Sequence, residues 1–112
     1  MTYSVEHRLA TYGTLAPGEV NEGQLSDLSG EWTTGFVKGK LINEGWGAAH
    51  GCPGMIAVRN GDLIKVHIFQ SLDLPEHWDR LDAFEGDGYR RIPIMVTRDQ
   101  GDVEAYIYEL NL

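Results

Sequence analysis

The run MIAVRNGDLIKVHIFQ, residues 55–70, carries the strongest local signal for secondary structure in the chain. Its second half alternates apolar with polar residues, as in a strand that has one buried face. The dipeptide Asn60-Gly61 separates the two apolar parts, and Asn-Gly supplies the positive φ values of a type I′ turn. Residues 55–59 and 62–70 are therefore predicted to form a β-hairpin.

Downstream of this run, the pattern predicts one helix and two further strands. Asp73 is a suitable N-cap, and Pro75 is tolerated in the first turn, so a helix is expected to start here. It is expected to run to Glu85, where a glycine follows. Residues 90–98 and 103–110 are predicted strands, and the short glycine-containing segment between them predicts a hairpin loop.

Upstream of the run, strands are predicted at residues 9–12 and 31–42, with a short helix or irregular turn at 19–28. The glycine-rich segment 43–54 is predicted to be a long loop. Many antiparallel strands with tight turns and one good helix predict an α+β domain, either a small barrel or a strongly coiled sheet.

Length and charge restrict the class of protein. A chain of 112 residues fits one domain, residues 1–112, without a separate substrate domain. Its net charge of -8 argues against a nucleic-acid or anionic-membrane partner, since nine basic residues face 17 acidic ones. The start lacks the apolar core of a signal peptide, and no apolar run approaches the roughly 20 residues that cross a bilayer. We expect a cytoplasmic protein, monomer or homodimer.

Glu85 is the candidate catalytic residue. On a helix, Leu74, Trp78, Leu81 and Glu85 fall on one narrow stripe, and the first three are apolar. The carboxylate is therefore expected to point toward the core, where desolvation raises its pKa and lets it exchange a proton near neutral pH. Spacing alone leaves an alternative open: a terminal carboxylate can bend out to water, at a helix end that favours cations.

A second candidate feature follows the first predicted strand. Residues 12–18 read Tyr-Gly-Thr-Leu-Ala-Pro-Gly. A glycine directly after a strand lets backbone N–H groups converge on one point, where they can hold a carboxylate or a carbonyl oxygen. An ordinary tight turn is the alternative. The four histidines show no paired ligand spacing, and the single cysteine, Cys52, excludes a multi-cysteine metal site, so no metal site is predicted.

Taken together, these segments resemble the gamma-glutamylcyclotransferase-like superfamily. Its members open with a strand that ends in Tyr-Gly-Ser/Thr-Leu, and they carry Leu-Asp-x-Phe/Leu-Glu-Gly followed by Tyr-x-Arg. A mid-chain Pro-Gly/Ala-hydrophobic segment and a late Ala-Trp/Tyr-x-Tyr strand complete the pattern. One departure is that many members have Asn-His after the first loop, whereas Asn21 here precedes Glu22. The matching segments are residues 12–18, 53–56, 81–86 with 89–91, and 105–108.

The resemblance implies a small mixed, mostly antiparallel β-barrel with one main α-helix and a short second helix, over a core of about residues 9–110. It also implies a cyclotransferase in which the substrate's α-amino group attacks its own γ-carbonyl, giving 5-oxoproline and releasing an amine or amino acid. Glu85 would be the general acid and base, and no cofactor or metal is implied. The residues implied to bind the γ-glutamyl substrate are Tyr12, Gly13, Thr14, Leu15, Tyr89 and Tyr108.

Two other functions compete with this interpretation. The same barrel could bind a small anionic metabolite without catalysis, or serve as a protein-interaction domain, for which no sequence feature speaks. Glu85 together with the Tyr-Gly loop favours the enzyme, because a pure carboxylate binder gains nothing from a buried acid. The sequence leaves open the leaving group and the roles of Glu22 and of residues 43–54, although the acidic composition slightly favours an amine.

Overall fold

The computed structural model describes residues 3–12, 22–42 and 54–111. Within these ranges, one α-helix and six strands account for the regular structure besides three short 3₁₀ turns. The turns are Val5–His7, Glu22–Gln24 and Leu74–Glu76. The main elements, in chain order, are β1 (Arg8–Thr11), β2 (Glu31–Ile42), β3 (Gly54–Ala57), β4 (Asp62–Gln70), α1 (Trp78–Glu85), β5 (Tyr89–Val96) and β6 (Val103–Leu110).

The six strands form one mixed sheet in the order β3-β2-β4-β1-β6-β5. β1 and β6 are parallel, and the other neighbours are antiparallel. The sheet is curled so that β2 lies next to the end of β5. There, Phe36 of β2 and Thr97 after β5 exchange two backbone hydrogen bonds of 2.9 Å. The α+β prediction is confirmed: the sheet is a nearly closed, mostly antiparallel barrel with one main α-helix.

The predicted hairpin of residues 55–70 is wrong in its pairing. β3 and β4 each lie antiparallel to β2 instead of pairing with each other. β2 is 12 residues long, so its first part pairs with β4 and its end pairs with β3. Gly39 is the point of exchange, because it lies opposite both Ala57 and Asp62.

The Asn-Gly turn therefore has a different role from the one expected. Its Gly61 N–H donates to the carbonyl of Val58 at 2.9 Å, but neither Asn60 nor Gly61 has a positive φ, so this is no type I′ turn. Glycine is required at position 61 by close approach: a Cβ there would lie 2.6 Å from the carbonyl oxygen of Gly39. The local sequence predicted that Gly61 serves a type I′ turn. In the structure, its close packing against Gly39 is what requires a glycine there.

The helix is shorter than predicted at its start. The segment begins with the 3₁₀ turn Leu74–Glu76 and becomes α-helical only at Trp78. Asp73 makes no capping hydrogen bond, and its carboxylate instead accepts a backbone N–H from the segment before β2. The end is as predicted: α1 stops at Glu85, and Gly86 takes a φ of 78°, which glycine adopts most easily.

In the described part of the chain, no helix has the length and apolar character to span a bilayer.

Two apolar clusters fill the molecule. The first packs α1 against the sheet: Leu9, Leu25, Leu28, Phe69, Leu74, Trp78, Leu81 and Tyr108. The second fills the barrel: Ala10, Val37, Met55, Ile64, Val66, Ile68, Val96, Ala105 and Ile107. Neighbouring residues of β1 contribute to different clusters because successive side chains of a strand point to opposite faces. Tyr12, directly after β1, packs against the second cluster.

Candidate functional site

Glu85 occupies the last position of α1 and is half-buried. The predicted apolar stripe is confirmed, with Leu74, Trp78 and Leu81 exposed by only 0%, 6% and 0%. Burial raises the pKa of the Glu85 carboxyl from its ordinary 4.5 to about 7. A carboxyl with that pKa is present in both protonation states near neutral pH, which is the condition for taking and returning a proton.

Tyr12 joins three strands through its hydroxyl. The group donates to the carbonyl oxygen of Tyr108 at 2.6 Å and accepts the backbone N–H of Met55 at 3.2 Å. Burial raises the pKa of the Tyr12 phenol; the Met55 hydrogen bond lowers it, and the charges of Tyr89 and Glu85 raise it further. The charge of the carboxyl at the end of α1 therefore acts on the phenol that follows β1.

Tyr108 lies in β6 and is almost fully buried, with 4% exposure. Its hydroxyl donates to Oδ1 of Asp82 at 2.7 Å. Burial raises the pKa of this phenol, the hydrogen bond with Asp82 adds to the rise, and the charge of Glu85 also contributes. Because the single hydroxyl proton is directed at Asp82, a hydrogen bond from Tyr108 to a substrate would have to replace this one. Its role in substrate binding stays a prediction.

Tyr89 begins β5 beside a cavity of about 360 Å³ at the end of α1. The residues that line it are Asp82, Ala83, Gly86, Asp87, Tyr89, Arg90, Arg91, Tyr108 and Asn111. Two of the predicted site residues, Tyr89 and Tyr108, line this cavity, whereas Glu85 and Tyr12 are not among its lining residues and Tyr12 lines a separate cavity. The charge of Glu85 acts on the phenols of both Tyr12 and Tyr108. The remaining three, Gly13, Thr14 and Leu15, lie outside the described residues, as do Cys52 and residues 43–53.

Sequence reasoning gave no role to Asp82 and Arg91, which form an ion pair between α1, three residues before Glu85, and β5. Asp82 Oδ1 accepts Nε of Arg91 at 2.9 Å, and Oδ2 accepts a terminal guanidinium nitrogen at 3.1 Å. The guanidinium carbon lies 4.5 Å from the ring centroid of Trp78 and 4.6 Å from that of Tyr106. A signal was available, since Asp82 lies three residues before Glu85 and therefore on the same side of the helix.

Glu109 is a second charged residue that the sequence interpretation missed. It is 4% exposed, its Oε1 accepts the backbone N–H of Ala57 at 2.9 Å, and its Oε2 accepts Nε of Arg90 at 2.7 Å. Strand alternation places Glu109 on the same side of β6 as the buried Ala105 and Ile107. An acid at an inward position of a predicted strand was the available signal.

Ligands for a metal are not grouped in the part of the chain that the structure describes. There, no set of three or more His, Cys, Asp or Glu side chains is arranged to hold an ion. The expectation that the reaction needs neither metal nor cofactor stays a prediction. The chemical groups assembled at the end of α1 are carboxyls, phenols and two paired guanidinium groups.

The sequence profile of one protein family matches residues 9–112, and that family is described as "Gamma-glutamyl cyclotransferase, AIG2-like". The match covers almost the whole chain. A search of functionally curated proteins finds no match.

Solved structures resemble the fold. YkqA from Bacillus subtilis is 27% identical with a TM-score of 0.71, and the alignment covers 95% of this chain and 36% of YkqA. The chain therefore spans about a third of that protein. An AIG2-like protein from Mus musculus is 19% identical with a TM-score of 0.71, over 94% of this chain and 77% of the mouse protein. A structure titled "Gamma-glutamyl cyclotransferase" is 15% identical with a TM-score of 0.60, over 94% and 66%. At these last two identities the likeness shows the fold alone.

Proposed function

The chain belongs to the gamma-glutamyl cyclotransferase, AIG2-like family, and from that membership we propose that it releases 5-oxoproline from a γ-glutamyl amide or amine, with Glu85 as general acid and base. The reaction is an intramolecular acyl transfer. The observation that carries the proposal is the half-buried carboxyl of Glu85, whose pKa is about 7 and whose charge acts on the phenols of Tyr12 and Tyr108.

In the proposed reaction the nucleophile belongs to the substrate. Glu85, as carboxylate, takes a proton from the substrate's α-ammonium group, and the freed amine attacks the γ-carbonyl carbon. The new C–N bond closes the five-membered ring. As the tetrahedral intermediate collapses, the original γ C–N bond breaks, and Glu85 gives its proton to the leaving nitrogen. The ring nitrogen still carries one proton more than the lactam keeps; the restored carboxylate takes that proton and passes it to the released amine, which leaves as an ammonium ion. Glu85 is thereby restored, and no water, metal or external nucleophile enters the balance.

In the proposed reaction the protein must also orient the substrate. A γ-glutamyl chain must fold back until its α-nitrogen approaches its γ-carbon, and holding it so can contribute several kcal/mol. By the family resemblance, the backbone N–H groups of Gly13, Thr14 and Leu15 would hold the α-carboxylate or the γ-carbonyl oxygen. Tyr12 and Tyr89 would then line the wall of the site near Glu85.

The experiment that tests the proposal is a panel of γ-L-glutamyl compounds scored for 5-oxoproline release. The panel contains γ-glutamyl amino acids, γ-glutamyl polyamines and a peptide with a γ-glutamyl-lysine link. We expect release from at least one class by the wild-type protein. Glu85→Gln should lose at least about 10²–10⁴-fold in kcat while it still binds the substrate, because glutamine cannot accept the α-ammonium proton. Glu85→Asp should be partly impaired, since its carboxylate is retracted.

The matched control is Glu76→Gln, the same substitution at an exposed position just before α1. This variant should turn over like the wild type. Release of 5-oxoproline by Glu85→Gln at the wild-type rate would assign Glu85 a structural role and refute the mechanism. Binding of γ-glutamyl compounds by the wild type without any release would instead identify a non-catalytic member of the fold.

A further inference from the structure

We propose that Asp82 and Arg91 are positioning residues that hold the end of α1, and with it the carboxyl of Glu85, in the place from which it meets the substrate. The inference rests on the proposed function of Glu85. It concerns residues that the mechanism does not otherwise use, and it follows from contacts that connect both turns of α1 to the sheet.

Asp82 is tied to the end of the helix through its backbone and to the sheet through its side chain. Its carbonyl oxygen accepts the N–H of Gly86 at 3.0 Å, in the peptide bond that directly follows Glu85. Its carboxylate accepts two hydrogen bonds from Arg91 and one from Tyr108. The last turn of α1 is therefore connected to β5 and β6 by three charge-assisted hydrogen bonds, which are the stronger kind in proteins.

Arg91 is held in place by two aromatic rings in addition to its contact with Asp82. Its guanidinium lies against the rings of Trp78 and Tyr106, which meet at an interplanar angle of 80° and so form two walls around it. Trp78 opens α1 and Tyr106 lies in β6, so the cation bridges the first turn of the helix and the sheet. A planar guanidinium that stacks and binds a carboxylate through two nitrogens has little freedom left, and lysine cannot reproduce this arrangement.

The same contacts reach the other side of the site. Tyr108 uses its hydroxyl to bind Asp82 and its carbonyl oxygen to accept the hydroxyl of Tyr12. A shift of Asp82 would thus move both Glu85 and the residue that anchors Tyr12. The network joins the proposed acid–base group to the tyrosine at the end of β1.

A purely stabilising ion pair is the competing explanation. Asp82 keeps 41% side-chain exposure and Arg91 23%, and ion pairs with that much solvent contact contribute little to stability. The two explanations differ in what they predict for Glu85. Positioning predicts altered proton affinity and turnover in a protein that remains folded, whereas simple stabilisation predicts only a lower unfolding temperature.

Two variants test the proposal without adding a net charge near Glu85. Arg91→Lys keeps the cation but loses the two-nitrogen contact, and the double variant Asp82→Asn/Arg91→Gln removes both charges together. Both variants keep Tyr12 and Tyr108, the titratable groups on which the charge of Glu85 acts. The matched control is Arg80→Gln: Arg80 also ties α1 to the rest of the protein, through two hydrogen bonds of 3.0 Å to Gln24, on another side of the helix.

The first readout needs no substrate. Carboxyl ¹³C NMR titrates Glu85, whose resonance is assigned by its loss in Glu85→Gln. We expect the pKa of Glu85 to fall from about 7 toward its ordinary value in both test variants, because a loosened helix end admits water. The second readout is 5-oxoproline release, where kcat should fall at least about 10-fold with a smaller change in KM. Arg80→Gln should match the wild type in both.

The outcomes separate this inference from the proposed function. An unchanged pKa of Glu85 and unchanged kcat in folded Arg91→Lys and in the double variant would overturn the positioning role. If the wild type releases 5-oxoproline from no compound, the proposed function fails, and the NMR titration alone then decides the positioning role. If circular dichroism shows that the double variant is unfolded, Arg91→Lys decides.

Discussion

The raised pKa of Glu85 has a consequence for stability that can be measured without any substrate. In the unfolded chain the carboxyl ionises at its ordinary pKa of 4.5, whereas in the folded protein it ionises at about 7. Below pH 4.5 it is protonated in both states and carries no penalty. As pH rises from 4.5 to 7 the unfolded state gains ionisation that the folded state resists, so the wild-type free energy of unfolding falls.

Glu85→Gln should therefore be more stable than the wild type, and the difference should depend on pH. We expect no gain near pH 4, and at pH 8 a gain of at most about 3 kcal/mol, since each pKa unit corresponds to about 1.4 kcal/mol. Urea unfolding at several pH values measures it. Glu76→Gln, at an exposed position, should show no such pH-dependent gain. A gain for Glu85→Gln that is equal at pH 4 and pH 8 would contradict a burial-raised pKa.

The residues of the site differ in how far sequence could predict them. The burial of Glu85 was predictable because Trp78 and Leu81, its partners on the apolar stripe, lie on the same helix, and helical periodicity describes such neighbours. The ion pair of Asp82 with Arg91 and the hydrogen bond of Tyr108 to Asp82 span 9 and 26 positions, across a helix and two strands. Contacts of that kind depend on how elements pack, which periodicity does not encode.

At the scale of elements, β3 is a strand whose backbone is held partly by side chains. It has only four residues and pairs with the end of β2. Two side chains from other strands hold its backbone: Tyr12 accepts the N–H of Met55, and Glu109 accepts the N–H of Ala57. The side of the barrel next to Tyr12 is thus closed by a phenol and a carboxylate in place of a backbone ladder.

Glu109→Gln should weaken this closure. The glutamine oxygen can still accept one hydrogen bond, but the NH₂ group would face the Nε–H of Arg90. Two donors then meet, and the buried NH₂ group of the glutamine is left without an acceptor. The expected loss in unfolding free energy is about 1–3 kcal/mol. Hydrogen exchange at the amide of Ala57 should become faster as well.

The matched control for this change is Glu104→Gln, an exposed acid on the same strand. Its stability should stay within about 0.5 kcal/mol of the wild type, as for most surface substitutions. Equal stability of the two variants, with unchanged exchange at Ala57, would show that backbone pairing alone holds β3.

The elements themselves were largely predictable, and their pairing was not. Strands β2, β4 and β6 lie at or very near the predicted positions, because their alternation of buried and exposed residues is a local property. The hairpin of β3 with β4 failed because the Asn60-Gly61 signal is also local, while the long β2 competes for both strands. The choice between partners is made by the whole sheet, where Gly61 can lie against Gly39 only because both lack a side chain.

On the scale of the whole molecule, charge is unevenly distributed. The three lysines of the chain, Lys38, Lys40 and Lys65, are exposed on one outer face of β2 and β4. The end of α1 is rich in acids instead, and the two arginines there are each paired with a carboxylate. With a net charge of -8, the long-range field of the whole protein attracts cations and repels anions.

This field predicts how salt should affect turnover of differently charged γ-glutamyl substrates. A compound whose leaving group carries a free ammonium, such as a γ-glutamyl diamine, should be attracted at low ionic strength. Its kcat/KM should fall by about 2- to 10-fold between 10 mM and 1 M NaCl, as the screening length shortens from about 30 Å to 3 Å. A γ-glutamyl amino acid, whose leaving group adds a carboxylate, should show a flat or rising kcat/KM. A γ-glutamyl alkylamide with a neutral leaving group is the internal control, because salt effects on the shared glutamyl part appear in all three. If the three compounds respond to salt alike, the net charge of the protein has no part in selecting the leaving group, and contacts within the site select it instead.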